Sequence, residues 1–272
     1  MSVTDEPLTA SPPSGRPRNR GPWYALAALT AALVVVPAGL EVVGVQMRHG
    51  SDVSETLTRH VRAVEVEAAS ASVTVRASSG PSRIRRDLHW VLTRPRVTTD
   101  WDGDTLKLKV TCGDGGVIGW SLCDANVTVD VPADVAVSGR MSSGTLAVSG
   151  LTGKVEVRNN SGTLDLSDLA GPLRAKVASG SINGRRLRSD DVNVSSGSGS
   201  VKLGFTAPAS RVVARTGSGS IDLGFPAGSH YLVTGHSGSG SRNFEDGIEG
   251  GPGTADTLDV TTGSGAVDVH YT

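Results

Sequence analysis

The sequence predicts an all-β fold, a solenoid of two-strand coils, and three observations carry that prediction. The first is a dipeptide, Ser-Gly, that recurs seven times: Ser143-Gly144, Ser161-Gly162, Ser179-Gly180, Ser198-Gly199, Ser218-Gly219, Ser239-Gly240 and Ser264-Gly265. Successive glycines are 18, 18, 19, 20, 21 and 25 residues apart, a period that belongs to stacked coils rather than to ordinary hairpins. The second is an apolar alternation on both sides of each glycine, with pairs such as Val155/Val157 before Gly162 and Leu164/Leu166 after it; strands alternate faces, so one face of each half is built for burial. The third is composition: Phe, Trp and Tyr make up only 4%, too few to supply a ring-based core, while small β-branched residues stacked about 4.8 Å apart can form a thin one.

The post-glycine pairs are Leu146/Val148, Leu164/Leu166, Val201/Leu203, Ile221/Leu223 and Val267/Val269. Two repeats are poorer, with Gly184 after Ile182 and Arg242 before Phe244, so the coil near Ser239–Gly250 is expected to be distorted. The residue between each pair (Ala147, Asp165, Asn183, Lys202, Asp222, Asn243, Asp268) is mostly polar and faces water. Glycine supplies turn conformations closed to residues with a Cβ, and the serine column is expected to hydrogen-bond to neighbouring coils and local backbone.

From the N-terminus, residues 1–22 carry five prolines and almost no apolar side chains, the composition of a disordered cytoplasmic tail. Trp23 to Leu40 runs without a charge and the apolar stretch continues to Val45, long enough for one transmembrane helix over 23–45. Arg16, Arg18 and Arg20 precede it and Arg48 alone follows, so the remainder is placed outside the cell membrane by the positive-inside rule. A cleaved signal peptide ending near Val36-Pro37-Ala38 is the competing reading, disfavoured by the length of the run and by the proline. Residues 46–59 read as a polar stalk and 60–272 as the extracytoplasmic β-solenoid. The segment Val64–Val75 forms an early coil with Ala71 in the glycine's place. Over 78–126 the period fails, and three of the four tryptophans fall there, so this stretch reads as an irregular cap or insertion. Cys112 and Cys123 are the only cysteines, and in an exported domain a close pair is expected to form a disulfide.

This order of parts, with Val127-Thr128-Val129-Asp130-Val131-Pro132 followed by coils such as Thr216-Gly217-Ser218-Gly219-Ser220-Ile221-Asp222-Leu223-Gly224, resembles the toastrack-type family of adhesin-like bacterial domains over residues 60–272. The resemblance implies a right-handed β-helix, a cell-envelope location and no catalytic residues to carry over.

The residues themselves point the same way. Gly235-His236-Ser237-Gly238-Ser239 has Ser where a hydrolase elbow needs Gly, and Gly153-Lys154 is followed by Val155 where a phosphate loop needs Ser or Thr. Asp100-Trp101-Asp102-Gly103-Asp104 clusters carboxylates but reads as a hairpin turn. Asp165, Asp222 and Asp268 share the outward column, yet in sequence order they fall in non-adjacent coils, and His230, His236 and His270 lie near the last ones; no metal site and no cofactor is assigned. The densest positive stretch, Arg83, Arg85, Arg86, Arg94 and Arg96 with Trp90 between them, is a candidate contact for an anionic envelope polymer or another envelope protein. The net charge of −1 gives no reason to expect nucleic acid. The expected function is a membrane-anchored, non-catalytic, adhesin-like surface binding or scaffold module, with an envelope-stress sensor or adaptor acting through partner membrane proteins as the alternative.

Overall fold

Strand β8 (Val155–Ser167) contains the rule from which the fold is built. Before its glycine the odd residues Val155, Val157 and Asn159 are buried, and after it the even residues Leu164 and Leu166 are. Gly162, at φ 131°, makes that change of phase, so the two halves of one strand face each other across a thin core. Its parallel neighbours β7 (Ala136–Ser149) and β9 (Leu173–Leu187) repeat the pattern in register, Leu146 against Leu164 against Ile182. A Cβ on Gly162 would lie 2.0 Å from the Gly144 carbonyl oxygen, so glycine is required by the neighbouring coil as well as by φ.

The computed structural model describes residues 49–90, 94–112, 123–251 and 253–272. These residues form an all-β solenoid, and no helix among them is long and apolar enough to cross a membrane. The tail and the span expected over 23–45 lie outside the described residues.

Coils stack in an order different from the sequence at both ends. β2 (Ala63–Ala77) pairs with β7 on one side, and on the other with β5 (Thr105–Thr111) and β6 (Cys123–Val131). Its Ala71 does stand opposite Gly144. At the far end, β10 (Asp191–Ser198) and β11 (Val201–Phe205) stack on β9, followed by β12 (Arg211–Ser218) and β13 (Ile221–Phe225). Next comes not the following segment but β17 (Thr257–Ser264) and β18 (Val267–Tyr271). The short β14 (Leu232–Thr234), β15 (Ser237–Ser239) and β16 (Arg242–Phe244) pack outside that pair as the terminal coil. The reading that Asp222 and Asp268 sit in non-adjacent coils is therefore corrected: they are register partners.

The stretch read as a stalk and an irregular cap extends the sheets. Residues 49–56 form strand β1 (His49–Thr56), antiparallel to β3 (Arg83–Trp90), which is itself antiparallel to β6. β4 (Arg96–Asp102) is antiparallel to β5. The stalk boundary fails because the polar residues of β1 gain a full backbone ladder without needing an apolar face.

The core is mostly Val, Leu and Ala. Fully buried rings contribute at one end, where Phe205, Phe225 and Tyr231 pack with centroids 4.8 and 4.6 Å apart; burial pushes the Tyr231 phenol up, while its oxygen accepts a bond from the Ala209 amide at 3.2 Å. The distortion expected around Arg242 is present. Arg242 pairs with Val267 in register, but its side chain is exposed, lying 5.0 Å over the Phe244 ring and donating to the Gly235 carbonyl.

Candidate functional site

Beyond the last coil at the β2 end, β1 and β3 prolong one sheet and β4 the other. The groove there has a volume of about 360 Å³ and is lined by Arg86, Arg94 and Arg96 together with Val53, Leu88, Pro95 and Val97. β3 positions Arg86 by alternation: Ile84 and Leu88 are buried, and Arg86 shares their face. Its guanidinium donates to Glu55 at 3.1 Å and to Thr99 on β4 at 3.3 Å. Its Nε is buried and has no hydrogen-bond partner. Arg94 lies 5.2 Å over the Trp90 ring, a contact that holds a cation in place without neutralising it.

The five arginines therefore divide. Arg86, Arg94 and Arg96 line the groove, whereas Arg83 and Arg85 alternate to the other face of β3, where they stand opposite Asp130 and Thr128 of β6. The parity of Ile84 and Leu88 carried that distinction in the sequence. Glu55, which faces Arg86, gave no such signal because β1 has no apolar alternation.

A second groove of about 340 Å³ lies over the first halves of β2, β7 and β8 and the end of β5, with Glu65, Glu67 and Glu156 among Lys109, Arg140 and Arg158. Mixed signs there favour no class of charged ligand.

In the glycine ladder, Ser161, Ser179, Ser198, Ser218, Ser239 and Ser264 are exposed, while Ser143 donates to the Ala69 carbonyl at 3.1 Å. Further bonds between coils come from the residue three before four of the glycines. Asn159 donates to Gly144, Ser196 to Gly180, Thr216 to Gly199 and Thr262 to Gly219, over 3.1 to 3.4 Å. These four are buried polar residues, and sequence reasoning missed them because the motif it followed was the more regular Ser-Gly.

The carboxylates of Asp100–Asp104 belong to a hairpin: Asp102 pairs with Lys107 at 2.8 Å, which lowers its pKa, and Asp104 with Arg62 at 3.1 Å. His230 bonds the Gly247 carbonyl. Among the described residues, the three histidines do not meet; the cluster able to offer ligand atoms to one ion is Asp222, Asp268 and His270.

A family model for Toastrack DUF4097 matches residues 40–270. Among solved structures, the chain is similar to a putative adhesin from Bacteroides fragilis NCTC 9343, with 11% identity, a TM-score of 0.48, and coverage of 82% of this chain and 97% of that one. A putative adhesin from Parabacteroides merdae ATCC 43184 matches at 12% identity and a TM-score of 0.34, covering 82% of this chain and 96% of that one. A putative lipid binding protein from Parabacteroides distasonis ATCC 8503 matches at 12% identity and a TM-score of 0.32, covering 83% and 96%. No curated protein matches the chain significantly.

Proposed function

The chain belongs to the Toastrack DUF4097 family, and from that premise we propose that it is a membrane-anchored, non-catalytic envelope protein whose arginine-lined groove binds anionic groups outside the cell membrane. The observation that carries this reading is the convergence of Arg86, Arg94 and Arg96 on one groove whose lining also includes the buried Leu88 and Pro95. Among the described residues, only Glu55 offsets the three positive charges by direct contact. The apolar span over 23–45 supports anchoring.

The test uses the full chain in detergent and measures its retention on anionic envelope material. Arg94 and Arg96 are exposed, so replacing both by Ser should leave the melting temperature unchanged and sharply reduce retention. Raising salt should act in the same direction, because exposed charges are screened over about 10 Å at 0.1 M. Retention indifferent to both changes would reject the groove as the binding surface.

A further inference from the structure

We propose that Asp222, Asp268 and His270 form a site for a divalent transition metal such as zinc on the outer face of the solenoid, created by the exchange of coil order. In the sequence, Asp222 and Asp268 are separated by a whole coil, which carries Asn243 in the same column. The structure places β18 directly against β13, so Asp222 and Asp268 become register neighbours, and His270 stands opposite Gly224. Gly224 matters because a Cβ there would come within 3.2 Å of the imidazole Nε2; its absence leaves the ring room to lie along the sheet.

The donor atoms converge, and each carboxylate is held from outside by a neighbour. Lys202 holds Asp222 Oδ2 at 2.9 Å and Asn243 holds Asp268 Oδ1 at 2.7 Å. The other oxygens, Asp222 Oδ1 and Asp268 Oδ2, lie 3.7 and 3.5 Å from His270 Nδ1. Nδ1 is sheltered from solvent and has no hydrogen-bond partner. One nitrogen and two carboxylate oxygens thus converge within ion-pairing distance, with no hydrogen bond to the nitrogen. Donors about 2.0–2.2 Å from a tetrahedral zinc ion are separated from one another by roughly 3.4 Å, close to these distances. The outer contacts from Lys202 and Asn243 resemble the second-layer bonds that orient metal-binding carboxylates. An imidazole in the set favours a transition metal over calcium or magnesium, which prefer oxygen alone.

Zinc titration of the tag-free full chain in detergent, followed by calorimetry and by thermal melts, tests the site. The expected result is one zinc ion bound and a raised melting temperature, both lost in His270→Gln, with Asn243→Ala weakening binding about 10–100-fold. Cobalt in place of zinc should give the strong visible absorption of a four- or five-coordinate ion, absent in His270→Gln. His270→Gln without metal should melt as the parent does, which separates loss of a ligand from loss of the fold; Asp268→Asn is a second ligand variant. Zinc binding that survives His270→Gln unchanged, calcium binding in preference to zinc, or no binding at all would each overturn the proposal.

Discussion

Gly265 lies between Gly219 and Gly240, its predecessor in the repeat: a Cβ on Gly265 would lie 2.0 Å from the Gly219 carbonyl oxygen, and one on Gly240 would lie 2.0 Å from the Gly265 carbonyl oxygen. The column then runs from Gly265 to Gly240. Gly219→Ala and Gly265→Ala should each destabilise by at least about 1–3 kcal/mol, combining an unfavourable φ with a clash against immovable backbone. Gly251→Ala, at a position with open space and no positive φ, should be nearly silent. Equal denaturant midpoints for Gly265→Ala and Gly251→Ala would show that the ladder is not packed in this order.

The buried polar ladder makes a separate prediction. Thr262 is fully buried and donates to the Gly219 carbonyl at 3.4 Å. Thr262→Val keeps the shape and removes the donor, so it should cost about 1 kcal/mol, and Thr262→Ser should recover part of that. A Val variant as stable as the parent in chemical denaturation would mean the bond contributes nothing.

Acid should weaken the coils through Asp190. The Ser210 hydroxyl at 2.7 Å and amide at 2.9 Å both donate to its Oδ1 and hold its pKa below the usual value. A carboxyl depressed in the folded state stabilises above its unfolded pKa, about 3.9, and that contribution is lost as the pH falls through the lower folded value. Melting temperatures of Asp190→Asn should therefore fall less steeply than those of the parent below about pH 4. Parallel acid limbs would remove Asp190 from the account.

Cys112 and Cys123 should be joined by a disulfide in protein isolated under non-reducing conditions. Closing that loop is expected to contribute roughly 2–4 kcal/mol, mainly by restricting the unfolded chain. Peptide mapping after alkylation without reduction should recover the two half-cystines linked; recovery of both as alkylated thiols would disprove the pairing.

The coils were legible because their cause is local. Val155, Val157, Leu164 and Leu166 sit at strand spacing around a glycine, and each is buried as that spacing requires. Coil order was not legible, because a repeat fixes how long a coil is but not which coil it touches. The one hint lay in the longest glycine interval, Gly240 to Gly265, whose extra residues carry the chain back over the terminal coil. In the groove, alternation around Ile84 and Leu88 was enough to separate Arg86 from Arg83 and Arg85. The placement of Glu55 was not, since β1 is held by backbone pairing to β3 and carries no periodic signal.

The exchange of coils also sets an order of events for a chain that leaves the ribosome from its N-terminus. Leu232–Phe244 emerges before Thr257–Tyr271, yet it docks only on those later strands. Until they arrive, β14 to β16 have no seat, and β12 and β13 present a bare edge. Release of a chain stopped after Gly250 would thus leave one coil unplaced and another uncovered, so the fold closes only when its last strands take their place between β12–β13 and β14–β16.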